Sequence, residues 1–126
     1  MTKNSIEKAT EIAVSSGQAT LLMAVKTNTH DVMAAQIKVV SGHALNQFII
    51  KAQVSPDSPV QTIYSTSGVF NAPEGRLLTS SGDLTTLAVD AVGSFDLNVS
   101  GYYSVELYAS SSNVAGSVVS VFAGLR

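Results

Sequence analysis

The residues of this chain best suited to chemistry are its two histidines, His30 and His43. His30 precedes Asp31, and an imidazole beside a carboxylate can bind a metal ion or act as a base that its neighbour orients. Both histidines fall in segments that the sequence predicts to be turns, where such pairs are usually exposed surface groups. We therefore predict no catalytic residue and no metal-binding residue.

Other motifs that carry chemistry are absent from the sequence. No serine lies in a G-x-S-x-G elbow, and neither a G-x-x-x-x-G-K nor a G-x-G-x-x-G run occurs. The chain has no cysteine, which excludes disulfides and thiolate metal sites. The loop aspartates stand singly, without the repeated carboxylates of a calcium loop. We therefore expect a protein that is not an enzyme and that binds no cofactor.

The charge of the chain is low and evenly spread. Only 13% of its 126 residues are charged, against about 25% in an average soluble domain, and the net charge is −2. The seven lysines and arginines stand singly, so they form no stripe that could follow a phosphate backbone. These features predict no nucleic-acid partner, and a surface of uncharged polar residues or one covered by other subunits.

Targeting and membrane segments are not evident. The first residues lack the apolar stretch of a secretory signal, and no apolar run approaches the roughly 18 residues that a membrane span needs. We expect synthesis in the cytoplasm and no membrane partner.

Apolar residues alternate with polar ones along most of the chain, which is typical of strands buried on one face. The positions predicted to face inward are Leu21, Met23 and Val25; Met33, Ala35, Ile37 and Val39; Phe48, Ile50, Ala52 and Val54; Phe95, Leu97 and Val99; Tyr103, Val105, Leu107 and Ala109; and Val119, Val121 and Ala123. The strand at 117–123 also carries Val118 and Phe122 on its other face, which suggests that both its faces are covered.

Turn residues separate these strands, which together form a single domain. Pro56 and Pro59 break the chain, and residues 67–83 form a long irregular segment with a short strand near residues 76–79. About seven or eight strands at this spacing predict an all-β fold, a single antiparallel β-sandwich or jelly roll. Residues 1–18 are predicted to form an extended N-terminal arm, and residues 19–126 the sandwich domain.

Tyr102 and Tyr108 are the candidate interface residues. Their spacing places both on the strand face opposite the predicted core. Two exposed tyrosines on one face could anchor a protein interface or stack on sugars. The alternative is that a loop or a second sheet partly covers this face.

The segment from Ala44 to Leu125 carries a recognisable pattern. Its elements are the segment Leu45–Ala52, a proline-rich turn, a short strand, a long glycine-containing loop, and the closing segments Val99–Ser110 and Gly116–Val121. The pattern resembles small β-sandwich virion proteins of tailed bacteriophages, including head decoration (cement) proteins. It covers about two thirds of the chain and implies no particular functional residues.

The resemblance implies a non-enzymatic virion structural protein, made in the host cytoplasm, that binds and stabilises the head shell. Its partners would be the major capsid protein or other virion proteins, and it would form a homo-oligomer, with a trimer favoured. The arm could add a strand to a neighbouring subunit. One alternative is a carbohydrate- or receptor-binding module of a phage tail or fibre. Another is a small enzyme, which would need His30 or His43 beside a carboxylate in a pocket.

Overall fold

A computed structural model describes residues 5–65, 77–81 and 87–126 of the chain. These residues form strands and turns, and no helix among them could cross a membrane. The nine strands are β1 (Ser5–Val14), β2 (Thr20–Lys26), β3 (Val32–Gly42), β4 (Leu45–Gln53), β5 (Gln61–Ser65), β6 (Leu77–Ser81), β7 (Val92–Asn98), β8 (Ser104–Ser111) and β9 (Ser117–Leu125).

The strands pair into two antiparallel sheets. One sheet has five strands in the order β1-β9-β3-β7-β6, and the other has four in the order β2-β8-β4-β5. The inward side chains of the two sheets form one hydrophobic cluster, as in sandwiches whose sheets pack face to face. The predicted all-β antiparallel sandwich is confirmed, with nine strands in the described residues rather than seven or eight.

The core follows the predicted alternation in most strands. Phe48 is fully buried at its centre, and its ring lies 5.7 Å from that of Phe95 and 6.4 Å from that of Tyr64 between centroids. The predicted inward residues that are buried are Met23, Val25, Met33, Ala35, Ile37, Val39, Phe48, Ile50, Ala52, Phe95, Leu97, Val99, Val105, Leu107, Ala109, Val119, Val121 and Ala123. The predicted core of the sandwich is therefore largely correct.

Two predicted core positions are exposed instead, each for a local reason. Leu21 is 45% exposed, because the β2–β8 register shifts between Leu21 and Met23 and the extra residue, Leu22, turns inward. Val54 is 59% exposed because β4 ends one residue earlier, at Gln53, so the alternation no longer applies to it.

The segment predicted as an extended N-terminal arm contains an ordinary sheet strand. Residues 5–14 form β1, which pairs with β9 of the same chain from Ser5↔Leu125 to Val14↔Ser117. The register shifts between Ala9 and Ile12, so residues on the core side are not evenly spaced by two. This irregular spacing hides the strand pattern in the sequence.

Deleting residues 5–14 is expected to lower the free energy of unfolding by at least about 2 kcal/mol, because Val14 is buried and β9 loses its neighbour. Thermal denaturation followed by circular dichroism measures the loss. Glu7→Ser, at an exposed position of the same strand, is the control. An unchanged melting temperature would show that β1 does not contribute to stability. A role of this segment in assembly stays a prediction, which the oligomer mass of the same variant would test.

Three chain segments come together at one end of the sandwich. They are the end of β1 at Val14, the end of β3 at Gly42 and the turn before β9 at Gly116. Gly42 and Gly116 both have positive φ, of 89° and 85°. A Cβ on Gly42 would lie 2.7 Å from the carbonyl oxygen of Gly116, and a Cβ on Gly116 would lie 2.8 Å from that of Val14. Glycine is therefore required at both positions, for its conformation and for the close approach of the backbones.

The predicted irregular segment at 67–83 lies mostly outside the described residues. Its described part is β6, which pairs with β7 and confirms the short strand expected near residues 76–79.

Candidate interaction surfaces

Tyr102 does not lie on an outer surface. It is 7% exposed and belongs to the hydrophobic core. Gly101, with φ of 88°, ends the turn after β7, and the Tyr102 amide donates to the Val99 carbonyl. Because β8 begins at Ser104, Tyr102 belongs to the turn, and strand alternation does not apply to it. For the same reason Tyr103, predicted to face inward, is only half-buried. The predicted exposure of Tyr102 is therefore wrong.

Tyr108 lies on the outer face of the four-stranded sheet, where it is half-buried. Its hydroxyl donates a hydrogen bond of 2.9 Å to Glu106 Oε1. The Lys51 ammonium lies 4.6 Å from the centroid of the Tyr108 ring, within the range of a cation–π contact. We call these outward residues, with Gln53 and Ser104, the polar face.

The hydroxyl of Tyr108 is harder to ionise than that of an ordinary tyrosine. Burial of the side chain, then the hydrogen bond to Glu106 and the negative charge of that carboxylate, raise the pKa of Tyr108 above its ordinary value of 10.0. A phenolate would lose its water and would face a carboxylate, so each cause disfavours the charged form.

Tyr108 is expected to make the folded protein less stable in alkaline solution. The folded state holds the phenolic proton more tightly than the unfolded state, so this contribution to stability is complete below pH about 10 and is lost as pH rises through the folded pKa. Replacing Glu106 with glutamine should lower the pKa of Tyr108. Ultraviolet titration of the tyrosines tests this, with Tyr108→Phe identifying the signal. An identical titration curve for Glu106→Gln would contradict the assigned cause.

The two tyrosines therefore do not form a common binding platform in this structure. Tyr102 is in the core, and the Tyr108 ring already contacts Lys51. Sugar stacking requires an open ring face. The expected pair of exposed aromatic rings, which motivated both the sugar-binding and the protein-interface hypotheses, is not present.

The histidines lie in turns, as expected. His43 is exposed and His30 is half-buried, with its Nδ1 3.2 Å from Thr29 Oγ1. The Asp31 carboxylate accepts a hydrogen bond from the Ser100 hydroxyl at 3.0 Å. Within residues 5–65, 77–81 and 87–126, no three His, Cys, Asp or Glu residues are grouped so that they could hold a metal ion.

The outer face of the five-stranded sheet, unlike the polar face, carries exposed apolar side chains. Phe122 is 42% exposed, and Ile6 on the neighbouring strand is 84% exposed. Between them lies an open groove of about 450 Å³, with Ala34 and Gly124 among its lining residues. Val92, which is 48% exposed, lies on the same face. We call these five residues the apolar face.

The sequence contains part of this signal. The alternation along β9 predicts that Phe122 points away from the core, but under another layer rather than exposed. Ile6 falls in the segment interpreted as an arm. The groove itself depends on the pairing of β1, β9 and β3, which brings Ile6, Gly124 and Ala34 into one row. These strands are distant in sequence, so local patterns could not predict the groove.

Comparison with known proteins gives matches in structure but not in sequence. No family model matches the chain, and no curated protein matches it. The crystal structure of the SPBc2 prophage-derived protein YomS is similar with a TM-score of 0.58, covering 100% of this chain and 97% of that chain at 12% identity. At this identity the likeness shows a shared fold.

A second solved structure is a more distant match. It belongs to the disulfide-linked pili that form Bacillus endospore appendages, with a TM-score of 0.48 and 12% identity. It covers 97% of this chain and 84% of that chain.

Proposed function

We propose that this protein is a non-enzymatic structural protein of a bacteriophage particle, and that it decorates the head by binding the major capsid protein. The observation that carries the proposal is the likeness in fold to a prophage-derived protein over almost the full length of both chains. The strand pattern of residues 44–125, which resembles that of small phage virion proteins, supports the same proposal independently.

The strand order supports the proposal further. Without β6, the sheets read β1-β9-β3-β7 and β2-β8-β4-β5. We infer from this order a jelly-roll connectivity, with β6 added as an edge strand. Jelly rolls form viral capsid domains and also lectin domains. The absence of an open tyrosine platform on the polar face favours the first of these two uses.

The composition of the chain agrees with a role in assembly. Charged residues are few, and charged side chains are depleted at the cores of protein interfaces because burying them costs solvation energy. Covering the exposed apolar face with another protein would also be favourable, because it removes apolar surface from water. A protein whose contacts are made through such surfaces needs no active site.

Fractionation of phage particles tests the proposed function. Particles would be purified on a density gradient from a host that carries the gene, then separated into heads and tails. We expect this chain to sediment with intact particles and with isolated heads, as detected by mass spectrometry. An unrelated host protein of similar size serves as the control for trapping.

The possible outcomes separate the two parts of the proposal. Presence in tails and absence from heads would overturn decoration but keep the virion role. Absence from both fractions, with the free protein at the top of the gradient, would overturn the virion role as well.

A further inference from the structure

Two residues of β9 give the apolar face a projection next to a hollow. Phe122 and Gly124 are two positions apart and point to the same side of the sheet, about 7 Å apart along the strand. The Phe122 ring, 42% exposed, forms a wall of the groove, and Gly124 leaves the groove open between Ile6 and Ala34. A surface with both features side by side can fit a rotated copy of itself.

Nothing inside the described part of the chain explains the glycine at position 124. A Cβ built there meets no atom within 4 Å, and its φ is not in the positive range that favours glycine. Glycine inside a strand weakens the strand, and it often marks a place where another molecule approaches closely. The missing side chain keeps the hollow open towards the outside of the protein.

We propose that the apolar face binds a second copy of this chain. The two five-stranded sheets pack face to face about a two-fold axis, and the Phe122 ring of each copy lies over Gly124 of the other. The proposal goes beyond the proposed function and does not depend on it, because the pairing requires no phage component.

The cross-strand pairing of the sheet defines the register of this contact. One row across the sheet consists of Ile6, Gly124, Ala34 and Asp96, and the adjacent row of Lys8, Phe122, Gln36 and Ser94. A two-fold axis that lies in the plane of the interface, perpendicular to the strands and midway between these rows, places each row of one copy over the other row of its partner. Phe122, Gly124 and Ala34 then lie on the inner strands β9 and β3, and the charged Lys8 on β1 and Asp96 on β7 flank them.

The size of the sheet fits a pair of this kind. The five strands lie about 4.8 Å apart and average about 29 Å in length, so the sheet covers roughly 700 Å². A stable interface buries about 600–1,000 Å² on each partner, so the contact needs the whole of this face. A second copy brings a face of matching size and shape. On the polar face, the charged Glu106 and Lys51 flank Tyr108, and burying these charges in an interface would cost solvation energy.

Sedimentation velocity over a concentration series tests the pairing. We expect wild-type protein to shift from monomer to dimer as its concentration rises. Gly124→Val fills the hollow and should raise the dimer dissociation constant about tenfold or more. Its melting temperature at low concentration should not fall, because valine favours the strand conformation and its Cβ has room.

Two further variants keep the test decisive. Phe122→Ser removes the projection and should also abolish the dimer, even if Gly124→Val fails to fold. Val114→Ser replaces a valine that is 92% exposed in the turn between β8 and β9, away from the apolar face, and should leave the dimer unchanged.

Specific results would overturn the pairing. They are a wild-type protein that stays monomeric across the series, or a dimer or trimer that survives both Gly124→Val and Phe122→Ser. A dimer that both variants abolish, in a protein that never joins particles, would support the pairing and count against the proposed function.

Discussion

Replacing Phe48 with alanine is expected to lower the free energy of unfolding by about 3–5 kcal/mol. Phe48 is fully buried, and its ring packs between those of Phe95 and Tyr64, which belong to the two different sheets. Its removal leaves a cavity where the sheets meet, and strands held by backbone pairing cannot move in to fill it. At this chain length the loss corresponds to a fall of roughly 10–20 °C in melting temperature.

Phe122→Ala is the matched control for this experiment. The same side chain is removed, but Phe122 is 42% exposed on the outer face. Measured at a concentration where the protein is monomeric, the change should cost no more than about 1 kcal/mol. Equal losses in the two variants would mean that Phe48 does not hold the sheets together.

The second large effect is expected from Gly42→Ala, which should lower the free energy of unfolding by more than about 3 kcal/mol. A non-glycine residue at the positive φ of Gly42 already costs about 1–3 kcal/mol. The new Cβ would also lie 2.7 Å from a backbone oxygen and 2.9 Å from the Cα of Ser117. Backbone atoms cannot move aside as a flexible side chain can, so the turns after β3 and before β9 must separate. Urea denaturation measures the loss.

The variant Gly17→Ala separates the energetic cost of the positive φ from the cost of the close Cβ contacts. Gly17 has a similar φ, of 83°, but a Cβ there meets nothing within 4 Å. Gly17→Ala should therefore lower the free energy of unfolding only by the cost of the positive φ, about 1–3 kcal/mol. If Gly42→Ala cost no more than Gly17→Ala, the close approach of the two turns would be unimportant.

Strand identity could be predicted from the sequence wherever the alternation is regular. In β3 and β7 the buried residues recur every two positions, and the strands pair without a register shift. The period of two is imposed by the pleat itself, so it can be recognised without knowledge of the partner strand.

The prediction failed where the phase of the alternation changes. A bulge reversed the face of Leu21, another obscured β1, and the turn at Gly101 placed Tyr102 in the core. A single extra residue exchanges the two faces of a strand, and bulges have no firm sequence signature. The choice of Tyr102 and Tyr108 as candidate interface residues assumes a constant phase, which explains why they do not share a face.

The position of β9 in the five-stranded sheet has a consequence for how the protein is made. β9 lies between β1 and β3, so neither can gain this neighbour until residues 117–125 have been synthesised. During translation β1 would wait with its backbone groups unpaired while more than a hundred residues follow it. Pairing between such distant segments is slow, and exposed strand edges bind other chains. The nascent polypeptide, rather than the finished sandwich, is therefore the form most exposed to aggregation.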